Sequence, residues 1–174
     1  RVLIYREQGL DGGAYFVFTP ANRNMLRIAN RYPEIAAAQQ GVRQSLTYRA
    51  RDGQRIPAYL TLPGNGQTRN LPLVLLVHGG PAARDTLDFD WWAAFLASRG
   101  YRVIAPEFRG SDGFGIRLFE AGWRQWGRAM QDDLADAVQW AAAQKLVDPT
   151  RVCVTGGSYG GYASLMAPIT HPGV

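Results

Sequence analysis

The stretch "RVCVTGGSYGGYASLMA", residues 151–167, changes character twice along its length. A short apolar run comes first, a glycine-rich turn around Ser158 follows, and the last residues have helical composition. So many glycines suit neither a strand interior nor a helix interior, because glycine loses the most conformational freedom when it is ordered. The stretch therefore predicts a buried strand, a sharp turn at Ser158 and a helix.

The turn matches a known short pattern. Residues 156–160, "GGSYG", fit G-x-S-x-G, which predicts a nucleophile elbow when it lies between a strand and a helix. We expect Gly156 and Gly160 to stand where any side chain would collide with neighbouring backbone. Ser158 is then a candidate nucleophile with its hydroxyl at the positive end of the helix. The alternative is an idle serine, whereas a phosphate-binding loop is excluded because no lysine follows the glycines.

A second pair of glycines follows another apolar run. The stretch "LVLLVHGGP", residues 73–81, ends in a sequence similar to the HGGG-type loop that donates a backbone N–H to an oxyanion. The matching donor would be the backbone N–H of Tyr159. We expect His78 to hold this loop by hydrogen bonding and not to act as a base.

From residue 42 onward, strand patterns alternate with helical patterns. The later strand patterns are continuous apolar runs, which predict strands that are covered on both faces. This order of elements predicts an α/β fold on a doubly wound, mostly parallel sheet. The predicted strands are 42–48, 56–62, 71–77, 101–105 and 151–155, and the predicted helices are 88–99 and 130–144.

Residues 1–35 predict a β-hairpin. Its strands are residues 1–7 and 14–19, joined by the turn "GLDGG" at 9–13. A hairpin cannot bury its faces alone, so we expect it to belong to a larger β structure. The stretch 31–41 is predicted to be a connector, and 63–70 is predicted to be an exposed loop.

Composition narrows the classes of protein to which the chain can belong. Its 174 residues are 47% hydrophobic and 19% charged, which is typical of a globular domain. The basic residues behind the net charge of +5 are scattered singly, so we do not expect nucleic-acid binding. We also expect neither a signal peptide nor a membrane span, which leaves the compartment open. The lone cysteine, Cys153, is expected to be buried and inert.

The two histidines do not complete a catalytic triad. His78 precedes the glycine loop, and His171 follows Ser158 with no Asp or Glu between them. In this strand-turn-helix arrangement the triad residues follow the order Ser, Asp or Glu, His. We therefore predict that this chain lacks the acid and the base, and that it is almost inactive by itself.

Three segments together resemble the prolyl oligopeptidase family of serine peptidases. They are "VHGGP", "APEFRGSDGFG" and "WGRAMQDDLADAVQWAAAQKLVDPTRVCVTGGSYGGYAS", and the nearest members are those similar to acylaminoacyl-peptidases and dipeptidyl-peptidases. The resemblance implies a β-propeller domain followed by an α/β-hydrolase domain. Residues 1–35 would then be the end of the propeller. Residues 36–174 would be the N-terminal part of the hydrolase domain, truncated after the elbow helix.

The resemblance also implies residue roles. Ser158 would be the acylated nucleophile, and the N–H groups of Tyr159 and Gly80 would form the oxyanion hole. The acid and the base would follow the elbow helix, the substrate would be a peptide, and no metal or organic cofactor is implied. A carboxylic ester hydrolase of the same fold and a non-catalytic fragment or binding module are the alternatives.

Three further interpretations concern residues outside the elbow. Asp132 and Asp133 are predicted to lie at a solvated helix start or to form a salt bridge with Arg128. Residues 109–112, "RGSD", follow a strand end and either contact substrate or shape the loop. Trp123 and Trp126 either pack in the core or form a pocket wall.

Overall fold

The computed structural model describes residues 1–6, 12–35, 41–64, 66 and 69–173. Parts of four sequence predictions lie outside these ranges. They are the end of the first strand at residue 7, residues 9–11 of the "GLDGG" turn, residues 36–40 of the connector, and residues 65, 67 and 68 of the exposed loop.

The first 30 residues contribute a three-stranded antiparallel sheet in the order β1-β2-β3. Its strands are β1 (Val2–Arg6), β2 (Ala14–Thr19) and β3 (Asn24–Asn30). The predicted hairpin is therefore incomplete, because a third strand follows it. The sequence of β3, "NMLRIAN", is bounded by asparagines, which are depleted in strands, so the strand was missed. Both β1 and β3 are exposed along their whole length.

The second sheet has five strands in the order β4-β5-β7-β6-β8. β4, β5 and β7 pair antiparallel, whereas β7, β6 and β8 pair parallel. The predicted α/β class is correct. Among the described strands two of the four pairings are parallel and two are antiparallel, so this part of the sheet is mixed and not mostly parallel. The strands are β4 (Val42–Arg49), β5 (Arg55–Leu62), β6 (Leu71–Val77), β7 (Arg102–Pro106) and β8 (Val147–Gly156).

In the part of the chain that the structure describes, four α-helices accompany this sheet: α1 (Trp91–Ser98), α2 (Ile116–Glu120), α3 (Ala129–Ala143) and α4 (Tyr159–Thr170). α1 begins three residues later than predicted because the Asp90 carboxylate caps it, accepting hydrogen bonds from two N–H groups at 2.9 and 3.1 Å. The five-residue α2 was not predicted, since one turn has no readable periodicity. In the described ranges, none of the helices is long and apolar enough to cross a membrane.

The helices explain why β6 is a continuous apolar run. Leu73, Leu75 and Val77 belong to the large cluster that includes side chains of α3 and α4. Leu76 belongs to a smaller cluster with Ala93 of α1 on the opposite face. Both faces of β6 are therefore covered, as its sequence predicted.

β8 differs from β6, and the prediction for it was wrong in part. Cys153 is exposed and so is Arg151, whereas Val152 and Val154 pack against the large cluster. Among the described strands β8 pairs only with β6, and α1 lies over β5 and β7. Within the described residues, one face of β8 is therefore not covered by a helix, and Cys153 is exposed on it.

Candidate active site

Ser158 lies between β8 and α4. Its backbone angles are φ 55° and ψ −118°, and the residue is exposed to solvent. A positive φ is unusual for a residue other than glycine and indicates local strain held by the surrounding structure. The hydroxyl therefore stands at the N-terminus of α4, outside any regular element, as the G-x-S-x-G pattern predicts.

Two of the elbow glycines are required by close backbone contacts. A Cβ added at Gly156 or Gly160 would overlap the carbonyl oxygen of Val77 at the end of β6. The same added atom at Gly156 would also lie 2.8 Å from the Cα of Gly160. Gly157 has no such neighbour within 4 Å. The predicted collisions are confirmed, and their main partner is the β6 backbone.

The loop after β6 lies directly against the serine. A Cβ added at Gly79 would lie 3.3 Å from the Ser158 Cβ and 3.9 Å from its Oγ. The next residue, Gly80, has φ 120°, a conformation that favours glycine. Tyr159 is the first residue of α4, so its N–H has no acceptor within the helix. The two glycine-containing stretches that were singled out in the sequence are thus brought together.

His78 holds this loop in place. Its Nδ1 lies 2.7 Å from the Gly79 carbonyl oxygen and its Nε2 lies 2.9 Å from the Ser111 Oγ. The ring stacks on Phe108 with centroids 4.5 Å apart. These contacts agree with the expected holding role. Burial lowers the pKa of His78, but the nearby Glu107 carboxylate and the Gly79 carbonyl oxygen outweigh burial and raise it.

A buried acidic group lies beneath the same loop. The Glu107 side chain is fully buried, with Oε2 3.5 Å from His78 Nε2 and Oε1 accepting a hydrogen bond from the Asp85 N–H at 2.8 Å. Burial raises the pKa of Asp85 to about 6, with Glu107 adding to the rise and His78 and Arg43 opposing it. Sequence reasoning missed this cluster, although a glutamate directly after a buried strand was a readable signal.

The raised pKa of Asp85 predicts a pH-dependent stability. A carboxyl with a higher pKa in the folded protein lowers stability as the pH rises from about 4 through 6, because ionisation is costlier after folding. The Asp85→Asn variant should therefore be about 1–3 kcal/mol more stable than the wild type at pH 7.5 and equal to it near pH 4. Urea unfolding at both pH values measures the difference.

Asp112→Asn is the matched control, since Asp112 is an exposed carboxylate on the next loop. It should change stability by less than about 0.5 kcal/mol at either pH. The opposite result would be an Asp85→Asn variant that is less stable than the wild type at pH 7.5 and equally stable near pH 4. It would show that the ionised carboxylate stabilises the folded protein.

The loop after β7 is fixed by a buried ion pair. Arg109 donates to Asp133 from its backbone N, Nε and Nη2 at 2.9, 2.8 and 2.7 Å. Its Nη1 donates to Asp52 at 2.8 Å, and hydrogen bonding to Asp133 raises the pKa of the guanidinium. Asp133 is fully buried and its ion pair is with Arg109, not with Arg128, so the predictions of a solvated helix start and of an Arg128 partner were wrong for it. Arg109 shapes the loop.

Removing the charge of Asp133 should destabilise the protein. The Asp133→Asn variant keeps one acceptor oxygen but leaves the buried guanidinium poorly compensated, and we expect a loss of about 2–3 kcal/mol. Urea unfolding gives the value. The adjacent Asp132→Asn is the control, because Asp132 is 35% exposed in its pairs with Arg51 and His171 and should cost less than about 1 kcal/mol. Equal losses in the two variants would contradict the assignment.

His171 does not lie near the serine. It follows the last residue of α4, and its Nε2 lies 3.0 Å from Asp132 Oδ1. A twelve-residue helix is about 18 Å long, so His171 and Ser158 are at opposite ends of α4. Within the described ranges no histidine is hydrogen bonded to Ser158 Oγ.

The two tryptophans are both more than half exposed, and Trp126 lies against the residue that follows Ser158. Trp126 packs edge-on against Tyr159 with centroids 4.8 Å apart, and also contacts Tyr162 at 5.1 Å. Trp123 and Trp126 line one cavity of about 350 Å³. The pocket-wall interpretation is therefore correct for both, and Trp126 packs as well.

Comparison with known proteins gives a consistent result. Residues 87–174 match the model of the prolyl oligopeptidase family. The chain is 47% identical over 123 residues to dipeptidyl aminopeptidase BIII of Pseudoxanthomonas mexicana, covering 67% of this chain and 18% of that protein. It is 40% identical over 156 residues to dipeptidyl peptidase family member 6 of Caenorhabditis elegans, covering 78% and 21%. The chain thus spans about a fifth of the length of these relatives.

Solved structures agree on the fold. A puromycin-hydrolyzing peptidase of Mycobacterium tuberculosis superposes with a TM-score of 0.82 at 26% identity, covering 95% of this chain and 26% of that one. The acylaminoacyl peptidase of Pyrococcus horikoshii gives a TM-score of 0.74 at 17% identity, covering 96% and 27%. The same assignment is supported by the strand-turn-helix around Ser158, by the glycine loop that lies against it, and by the sequence match. The chain belongs to the prolyl oligopeptidase family.

Proposed function

We propose that the protein is a serine peptidase that hydrolyses oligopeptides through an acyl-enzyme on Ser158. One observation carries the proposal. Ser158 is exposed and has a positive φ at the start of α4. The neighbouring loop lies so close that a Cβ added to Gly79 would be 3.9 Å from the Ser158 Oγ. This is the arrangement that an attacking hydroxyl and an adjacent oxyanion site require.

The proposed reaction has two steps. Ser158 Oγ attacks the scissile carbonyl carbon while a general base accepts its proton, and the leaving amine departs after it is protonated. The negative oxygen of the tetrahedral intermediate accepts hydrogen bonds from the N–H groups of Tyr159 and Gly80, each contributing about 3 kcal/mol. Water then hydrolyses the acyl-enzyme. Neither described histidine is hydrogen bonded to Ser158 Oγ, so we assign the roles of general base and acid partner to none of the described residues.

We further propose a domain division at residues 35 and 36. Residues 1–35 are assigned to the end of an upstream β-propeller, and residues 36–174 to the N-terminal part of an α/β-hydrolase domain. The separate antiparallel sheet supports this division, because the exposed faces of β1 and β3 require a partner. The greater length of the relatives also supports it.

The preference for peptides is testable against the ester alternative. The names of the relatives, dipeptidyl aminopeptidase and dipeptidyl peptidase, favour peptide substrates. In the full-length protein, hydrolysis of a peptide anilide should be compared with hydrolysis of a short acyl ester. We expect both to be cleaved. A high ester rate without amide cleavage would reject the peptidase and favour an esterase of the same fold.

A further inference from the structure

Glu107 contacts the chain on both sides of the glycine loop, residues 78–81. Its Oε1 accepts a hydrogen bond from the Asp85 N–H at 2.8 Å, and its Oε2 lies 3.5 Å from the His78 Nε2. The side chain is fully buried, and among the described residues Oε2 has no hydrogen-bond partner. A buried carboxylate is costly unless charged or hydrogen-bonding groups compensate it. Here both compensating groups lie beside the glycine loop.

The contacts of His78 require a proton on its Nδ1. This atom lies 2.7 Å from the Gly79 carbonyl oxygen, which can only accept a hydrogen bond. On the other side of the ring, Nε2 faces the Ser111 Oγ at 2.9 Å and the Glu107 carboxylate. A negative charge at this place favours positive charge on the imidazole. A positively charged donor makes a stronger hydrogen bond, so Glu107 strengthens the contact between Nδ1 and the Gly79 carbonyl.

The Gly79 carbonyl sets the direction of the Gly80 N–H. The two groups belong to one planar trans peptide unit, so they point in opposite directions. Glycines on both sides leave this unit free to rotate unless another group fixes it. No backbone carbonyl of the described residues accepts a hydrogen bond from the Gly80 N–H, which leaves it available to a ligand. A hydrogen bond from His78 to the Gly79 carbonyl therefore orients an available donor beside Ser158.

We propose that Glu107 is a positioning residue that acts through His78 to orient the Gly80 N–H for catalysis. Glu107 is fully buried and the His78 side chain is 6% exposed, so both act from beneath the loop and not on the substrate. This inference rests on the proposed peptidase function, in which the Gly80 N–H is an oxyanion donor. It adds the charged group that fixes the direction of this donor before the substrate binds.

Glu107→Gln tests the charge while it keeps the shape of the side chain. The amide oxygen can still accept from the Asp85 N–H, but the negative charge that faces His78 is lost. In the full-length protein we expect kcat for a peptide anilide to fall about 10–100-fold and KM to change less than about twofold, because an oxyanion donor acts in the transition state. The Ki of a peptide aldehyde of the same sequence should rise as kcat/KM falls, since its serine adduct resembles the tetrahedral intermediate.

Coupling between the two side chains distinguishes action through His78 from two separate structural roles. His78→Leu removes the Nδ1 donor and should also lower kcat about 10–100-fold. Adding Glu107→Gln to His78→Leu should lower kcat by less than about a further threefold, because the carboxylate then has no imidazole through which to act. His78→Asn places a side-chain N–H where Nδ1 lies, and its kcat should exceed that of His78→Leu by about threefold or more.

Asp136→Asn is the matched control. Asp136 is another buried carboxylate, on α3, and it accepts hydrogen bonds from the backbone N and Nε of Arg51 at 2.6 and 2.9 Å. This variant should unfold at a lower urea concentration than the wild type but keep kcat within about twofold, because its partner follows β4 and not the glycine loop. Urea unfolding of every variant shows whether it is folded under the assay conditions.

The outcomes separate the positioning role from the peptidase. An unchanged kcat in folded Glu107→Gln, with a wild type that cleaves peptides, would overturn the positioning role and leave the peptidase standing. Additive losses in the double variant would show that Glu107 does not act through His78 and would also overturn it. If Glu107→Gln were unfolded in the assay, equal kcat values in His78→Leu and His78→Asn would overturn the inference. A wild type that hydrolyses no peptide would reject the peptidase and the inference with it.

Discussion

The Ser158→Ala variant of the full-length protein should lose peptide hydrolysis, with kcat falling by about 10⁴–10⁶-fold. Loss of the nucleophile removes the covalent route, and only the residual catalysis from the oxyanion site and substrate binding is left. The folded structure should be retained, because Ser158 is exposed and its side chain makes no hydrogen bond within the described residues. Steady-state kinetics on a peptide anilide measures the loss.

Ser164→Ala is the matched control for this experiment. Ser164 lies on the same helix, and its Oγ donates to the Gly160 carbonyl oxygen at 2.7 Å. We expect this variant to keep its activity within a few-fold. Labelling of the wild type with a serine-directed fluorophosphonate, followed by peptide mapping, gives an independent readout. Modification at any residue other than Ser158, or an unchanged rate in Ser158→Ala, would overturn the assignment.

The fold around the elbow could be predicted because several local signals agree. β6 is apolar without alternation, because helices cover both of its faces. Gly156 and Gly160 are required because a side chain at either position would collide with the backbone of β6. Sequence patterns report the burial of a segment, but not which strand lies beside it. The exposure of Cys153 could not be predicted, because it depends on the position of β8 in the strand order and on the placement of α1.

Only those parts of the candidate site that belong to short sequence motifs with a defined backbone conformation could be predicted. Ser158 and the glycine loop follow from short patterns that fix backbone shape. Arg109 and Asp133 are 24 positions apart in the sequence, and the members of the Asp85–Glu107–His78 cluster that contact each other are about 20–30 positions apart. A local sequence pattern cannot predict contacts over such separations. Asp133 lies on α3, whereas the other residues of both groups lie on loops after strand ends. These loops are where a parallel sheet gathers side chains from distant parts of the chain.

The Gly160→Ala variant should be destabilised by about 3–5 kcal/mol and should also lose activity. The new methyl group would overlap the Val77 carbonyl oxygen and lie 2.9 Å from its carbon, and both are backbone atoms that a rotamer change cannot move. The elbow and the end of β6 must then separate, which is a costly form of overpacking. Because Ser158 and Gly79 are held on these two segments, their separation moves the hydroxyl away from the glycine loop at residues 78–81, the proposed oxyanion site.

Gly157→Ala distinguishes a steric requirement from a general need for glycine in this turn. Gly157 is adjacent to Ser158, but it is not among the glycines with a positive φ. A Cβ added to it would meet no atom within 4 Å. Its stability should therefore change by less than about 1 kcal/mol and its labelling by fluorophosphonate should persist. Urea unfolding and labelling rates compare the two variants directly. If Gly157→Ala were as damaging as Gly160→Ala, backbone freedom and not the contact with β6 would be what the elbow requires. If Gly160→Ala were neutral, the close approach of α4 to β6 would be wrong, and with it the placement of Ser158 against Gly79.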